Sequence, residues 1–153
     1  MLLIRLAVGG VFLAEGIQKF LFPDALGAGR FARIGIPSPE IVAPFVGVVE
    51  IGCGLLVLLG LFTRWAALPL WIVISTAIVS TKIPILLGHG LWGFSLPKLA
   101  QYGFWSLVHE ARVDFSMWLG LLFLFCAGGG AWSLDAVREK RDHPTPSSAK
   151  TSR

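Results

Sequence analysis

Glu50 is the residue from which any chemistry in this sequence has to start. It sits in the middle of an apolar run, residues 41–62, that holds no other charge. An ionised carboxylate in apolar surroundings is costly, so Glu50 requires a cation or a proton. Two cations stand at a comparable place in neighbouring apolar runs, Lys19 in 2–22 and Lys82 in 65–87. Glu15 precedes Lys19 by about one helical turn, in the order that favours an ion pair. Gly47, Cys53 and Gly54 share the helical face of Glu50. Small residues let a second helix come close, so Glu50 is expected to point at a neighbouring helix. Glu15, Lys19, Glu50 and Lys82 are therefore expected to line one polar pocket. Such a pocket has groups to hold a proton and to donate hydrogen bonds to a bound carbonyl. The competing reading is an ion-pair network that only fixes helix register.

A lipid-soluble quinone needs those same ingredients: an apolar slot, aromatic walls and donors at its carbonyls. Phe12, Phe20, Phe22, Phe45 and Trp71 are candidate walls, with Lys19 and Glu50 as donors. Apolar residues at helical spacing equally describe an ordinary core or a lipid-facing surface, so both readings stand. A second charged set, Arg5, Arg64 and Asp135, falls at the other ends of the apolar runs. These three are expected to form structural ion pairs there.

Other chemistries find little support. His89, His109 and His143 lie outside the apolar runs, which argues against a haem held between helices. His109, Glu110 and Asp114 follow no metal-ligand spacing, and no metal site is expected. There is no C-x-x-C, no G-x-S-x-G and no phosphate-binding glycine loop. Cys53 and Cys126 are too few for a disulfide framework or a cysteine zinc site. They come at similar depth, so a redox pair is one reading and small apolar filler the other.

The elements that must position these groups follow from composition. Hydrophobic residues make up 55% of the 153-residue chain and charged residues 14%, where a soluble domain carries about 25% charged. The mean hydropathy is +0.75. Four apolar runs, 2–22, 41–62, 65–87 and 115–134, each approach the roughly 20 residues a helix needs to cross hydrocarbon. Their backbones must satisfy their own hydrogen bonds in lipid, so they are expected to be helices. The fold class is all-α: a polytopic membrane protein with a four-transmembrane-helix bundle. The connection 23–40 holds Gly27, Gly29, Pro37 and Pro39 and reads as non-regular. A tight hairpin is expected at Thr63-Arg64. The aromatic segment 88–114 is expected to carry an interfacial helix near 96–110. The domain is read as 1–135, followed by a disordered charged tail, 136–153.

The first run lacks a basic leader and holds Glu15, so it is expected to remain as a span and not to be cleaved. With four spans, both termini share a side with Arg5, Arg64, Arg138, Lys140 and Arg141. The opposite side holds Arg30, Arg33, Lys98 and Arg112. The bias predicts cytoplasmic termini, with the Glu50 pocket in the outer half of a bacterial inner membrane. The net charge of +4 is explained by the tail, and no nucleic-acid partner is expected.

Three longer patterns are specific enough to compare. Gly16-Ile17-Gln18-Lys19 ends the first run. Glu50-x-Gly52-x-Gly54-Leu55 leads through Gly60-Leu61 to Thr63-Arg64. His109-Glu110 enters a last helix that closes on Gly128-x-Gly130-x-x-Ser133-Leu134-Asp135. In this order the sequence resembles the DoxX family over about residues 4–136. The resemblance implies a four-helix inner-membrane protein, with Lys19, Glu50, Arg64, Glu110 and Asp135 as its polar signature. The two cysteines are not part of that pattern. Relatives include a subunit of a thiosulfate:quinone oxidoreductase, members of redox-defence complexes and a eukaryotic cargo receptor. Fold is therefore implied more firmly than activity. The expected function is an accessory or quinone-interacting subunit, with quinone as the candidate cofactor. Its expected partners are the lipid bilayer, a soluble redox enzyme and a second copy of the chain. A small oligomeric transporter and a non-catalytic scaffold are the alternatives.

Overall fold

A computed structural model describes residues 1–142. Regular structure among them is helical: α1 (Leu2–Leu21), α2 (Ala28–Ile34), α3 (Pro39–Leu59), α4 (Thr63–Ala77), α5 (Ile83–Leu87), α6 (Phe104–Ala127) and α7 (Leu134–Asp142). A π-helical turn, Ile78–Lys82, joins α4 to α5. Two helical stretches are long and apolar enough to cross a membrane, Pro39–Leu59 and the continuous Thr63–Leu87. α1 and α6 have comparable length but carry more charge.

α1 packs along α3, α4 packs along α6, and the two pairs meet through α3 with α4 and α1 with α6. Glycine dictates the α1–α3 seam. Gly9 and Gly16 on α1, and Gly47 and Gly54 on α3, are each spaced by about two turns and so lie on one face. A Cβ on Gly16 would stand 2.8 Å from the Gly47 carbonyl oxygen, and one on Gly54 would stand 3.0 Å from the Leu13 nitrogen. The backbones are in contact there, the close approach that small residues allow between helices in lipid.

The α3–α4 turn is built by Gly60, whose φ of 68° is the left-handed conformation that glycine adopts without strain. The turn occupies 60–62, so Thr63 and Arg64 begin α4 instead of forming the hairpin. The π turn has a cause in sequence as well. Pro84 has no N–H to give and its ring would clash with the carbonyl of Ser80, so the helix widens just before it.

The buried apolar core is Val8, Phe12, Val57, Ala66, Ala67, Leu70, Ile74, Leu121 and Leu124. Most lie toward the end that carries Met1 and the 60–62 turn, termed the inner end by its place in the bundle alone; Phe12 and Ile74 reach the middle of the bundle. The outer end carries α2 and residues 88–103.

Four expected boundaries are corrected. Residues 23–40 contain a helix, α2: Gly27 and Gly35 cap it, and Gly29 falls in its first turn, where it leaves 30–34 free to coil. The interfacial helix at 96–110 is not separate; 96–103 is irregular, and Phe104 onward is the start of α6. The helix of the last apolar run stops at Ala127 and not at 134, where Gly128 and Gly130 take φ of 75° and 76°. The tail is helical to Asp142: the Ala136 N–H donates to Ser133 Oγ at 3.1 Å, an N-cap that starts α7. The rest of the tail, 143–153, lies outside the described residues.

Candidate functional site

Gly16 sets the geometry of the outer half. Because α1 lies against α3 at Gly16, the side chain one turn further along α1 reaches the face of α3 that carries Glu50. The Lys19 ammonium donates to Glu50 Oε2 at 2.6 Å. It also approaches Glu15 Oε2 at 4.0 Å and donates to the Glu15 carbonyl at 3.4 Å. Glu50 is 4% exposed. A charged hydrogen bond between groups this well buried is the answer to the cost that the sequence poses.

Lys82 makes a second pair on the opposite wall, 3.3 Å from Asp114 Oδ2 of α6. It does so from the end of the π turn. Between the two pairs lies a cavity of about 630 Å³. Glu15, Lys19, Glu50 and Lys82 all line it. Asp114 and Arg30 also line it, and neither was singled out as a site residue. Asp114 is weighed in the sequence only beside His109 and Glu110 as a metal ligand, and Arg30 lies in a segment read as non-regular. Most other walls are apolar: Phe12 and Val11 of α1, Val42, Phe45 and Val46 of α3, Ile72 and Val73 of α4 and Met117 of α6. Of the expected aromatic walls, Phe12 and Phe45 are there. Phe20 lies against Gly47 in the α1–α3 seam, Phe22 is exposed, and Trp71 stacks on Trp118 with centroids 5.2 Å apart.

Chemically, the arrangement presents two ammonium groups and three carboxylates to an apolar chamber of small-ligand size. It can donate hydrogen bonds to a neutral polar head from two sides, and Glu50 is positioned to exchange a proton with Lys19 or with that head. His109 and Glu110 are not among the cavity's walls, and Asp114 is engaged with Lys82. Cys53 packs against the core, while Cys126 is exposed; both are free thiols.

The inner end is organised differently from the expected ion pairs. Arg5, 2% exposed, gives its guanidinium to carbonyls: Val57 at 3.0 Å, Leu58 at 2.6 Å, Trp132 at 2.7 Å and Gly129 at 3.3 Å. Two of these, Val57 and Leu58, are carbonyls of the last turn of α3, where a cation is favoured. Asp135 instead accepts from the Phe62 N–H at 2.8 Å and from the Thr63 N–H and hydroxyl at 3.1 Å, capping α4. Arg64 lies beside Gly128. Among the described residues no ion pair joins Arg5 or Arg64 to Asp135; backbone carbonyls take the place of a charged partner for Arg5, and the Phe62 and Thr63 N–H groups do so for Asp135.

Against known proteins, the model of the DoxX family matches residues 1–83. That is more than half of the chain. The chain belongs to the DoxX family. It is 56% identical over 138 residues to the uncharacterized membrane protein Rv3486 of Mycobacterium tuberculosis, covering 90% of this chain and 80% of that one. It is 29% identical over 138 residues to the inner membrane protein YphA of Escherichia coli, covering 88% and 87%. No solved structure matches significantly. The motifs that carry the DoxX resemblance divide between the two ends. Gly16 to Lys19 and Glu50 to Gly54 build the α1–α3 seam and the buried pair. Gly60 to Thr63 and Gly128 to Asp135 build the inner clamp: a Cβ on Gly60 would lie 2.5 Å from the Arg5 guanidinium carbon. In this DoxX protein one set of motifs positions the cavity, and the other fixes the helices that surround it.

Proposed function

We propose that this protein is a four-span inner-membrane subunit with cytoplasmic termini, whose outer cavity holds a lipid-soluble quinone for a membrane-associated redox enzyme. The observation that carries the reading is the buried Lys19–Glu50 pair on the wall of an otherwise apolar chamber. A helix–helix contact in lipid does not need a charged pair, and intramembrane charge is by default functional. The four long helices support the four-span topology by length. The large exposed apolar side chains along them, such as Leu3, Ile41, Phe45 and Trp65, support a lipid-facing surface. In this reading Lys19 and Lys82 donate to the quinone oxygens, and Glu50 carries the proton that accompanies reduction. The electrons come from the partner enzyme, docked at the membrane surface.

The test is mass spectrometry of the protein purified gently from its native membrane. A stoichiometric quinone, lost in Lys19→Met, together with a co-eluting redox enzyme is the expected result. Protein carrying neither sinks the reading.

A further inference from the structure

The cavity's walls are not all interior. Phe45 is 67% exposed and Ile72 is 56% exposed, yet both line the cavity. Thr76, also exposed, joins them. Phe45 belongs to α3 and the other two to α4, helices that run antiparallel from the turn at 60–62. Residues equidistant from Leu61 stand at one level, so Val46 is level with Thr76 and Glu50 with Ile72. The cavity is therefore open sideways, between the outer halves of α3 and α4, at the depth of the Lys19–Glu50 pair. The reason lies in how α3 uses its faces. Beyond Glu50 its buried residues are Gly47 and Ala43. Gly47 is held by Gly16 and Phe20 of α1. Val42, Phe45 and Val46 are left to the cavity.

The outer end is covered by contrast. Phe31 and Ile34 of α2, with Ile36, Pro37 and Phe94, line the cavity from that side. The two covering segments are tied together: the Ser95 N–H donates to the Ile34 carbonyl at 2.7 Å, and a Cβ on Gly35 would stand 2.5 Å from the Gly93 carbonyl oxygen. Arg33 holds the start of this cover through the Asp24 and Ala25 carbonyls at 2.9 and 3.0 Å.

The window also selects by charge. Its sides are Phe45, Ile72 and Thr76, and the Thr76 hydroxyl already donates to the Ile72 carbonyl at 2.9 Å. An ionised head passing there has no counter-charge until it reaches the cavity, whereas a neutral carbonyl or hydroxyl head crosses at small cost.

We infer that the cavity is loaded sideways from the bilayer, through the window framed by Phe45, Ile72 and Thr76, by a lipid-resident amphiphile with an uncharged polar head. The head goes in first, to Lys19 and Lys82, and the apolar tail stays between α3 and α4. The inference rests on the quinone reading above and adds to it the route, the neutral head and the place of the tail.

The experiment uses the full chain in lipid nanodiscs, with Cys53→Ala and Cys126→Ala and the pair Phe45→Cys and Thr76→Cys. A cleavable bis-maleimide joins the two new thiols across the window. The probe is a photoreactive azidobenzoquinone with a decyl tail, read as label on the peptides that carry Lys19 and Lys82. Joining the thiols is expected to lower that label about tenfold, and cleaving the linker to restore it, as for any gated site. Equal labelling of joined and unjoined protein overturns the route while leaving the quinone reading in place. Label spread evenly over all lipid-facing helices of the unjoined protein overturns both. Ile72→Trp narrows the window without cysteines or linker, so the outcome does not depend on the double-cysteine protein folding. It is expected to slow labelling by the tailed probe, and an unchanged rate counts against the window.

Discussion

Gly16 backs onto Glu50: a Cβ built on Gly16 would stand 3.0 Å from the Cβ of Glu50 and 2.8 Å from the Gly47 carbonyl oxygen. The nearness of the Lys19 ammonium to the Glu50 carboxylate follows from this contact. Any side chain at position 16 pushes α1 away from α3 and pulls the pair apart.

Gly16→Ala is therefore expected to destabilise the protein by roughly 1–3 kcal/mol, as overpacking does, and to weaken quinone retention. Gly52→Ala is the matched control. Nothing lies within 4 Å of a Cβ at position 52, and alanine there is expected to be neutral or to stabilise by up to about 1 kcal/mol. Thermal unfolding in one detergent, run on both variants, checks the contrast; equal losses would place Gly16 outside a tight seam.

The buried pair itself has a distinct signature. Glu50→Ala and Lys19→Ala each strand a buried charge, at a cost on the order of 3–5 kcal/mol. The joint replacement Lys19→Met with Glu50→Leu is expected to recover most of that stability while abolishing quinone binding. A double variant as unstable as the single ones would show that the pair is needed for the fold. Full quinone binding in the double variant would remove the pair from the site.

Lys82 and Asp114 are less buried than the Lys19–Glu50 pair, with side chains 14% and 24% exposed against 9% and 5%. A less desolvated pair costs less to break, and glutamine at position 82 keeps a hydrogen-bond donor toward Asp114. Lys82→Gln is expected to leave the unfolding temperature nearly unchanged and to reduce quinone affinity. Titration of the tailed quinone into nanodiscs, followed by tryptophan quenching, measures the second effect; unchanged affinity means the ligand does not reach this wall.

At the inner end, Arg5 serves carbonyls on two different segments. Lysine cannot reproduce that planar fork, so Arg5→Lys is expected to lose nearly as much as Arg5→Ala, on the order of 3 kcal/mol. Asp135→Ala removes the α4 cap and is expected to lose about 1–2 kcal/mol. Denaturation midpoints decide it, and an Arg5→Lys variant as stable as wild type contradicts the clamp.

Topology is checked by labelling with a membrane-impermeant maleimide, in a background lacking Cys53 and Cys126. Lys98→Cys is expected to label from outside intact cells and Lys140→Cys only after permeabilisation. The reverse pattern inverts the cavity's orientation.

The sequence shows some of this plainly. One carboxylate in an uncharged run demands a partner, Lys19 is at the right place to be it, and Gly47 and Gly54 mark the face that a second helix approaches. The Lys82–Asp114 pair is not legible, because it joins residues across the irregular 88–103 segment, where no period relates one side to the other. Arg5 misleads for a different reason. Its partners are helix-end carbonyls, which every residue has, so nothing in the sequence marks them, whereas Asp135 is a conspicuous but wrong partner. α2 is hidden by its short length and by Gly27, Gly29 and Gly35, which cap it or fall in its first turn. Ser133 is an N-cap residue type ahead of α7, but the charged stretch after it carries no apolar period that marks a helix.

The π turn at 78–82 has one consequence for sequence drift along this chain. It accommodates one residue more than an α-helix would over the same rise. Deleting a single residue between Ile78 and Thr81 therefore lets the turn tighten into an ordinary α-helix with everything beyond it nearly in place, and Lys82 stays on the cavity wall. A one-residue deletion elsewhere in α4 meets no such slack and turns everything beyond it by about 100° about the axis. Length can thus drift by one residue at this turn, and there alone in the helix, without moving the second cation.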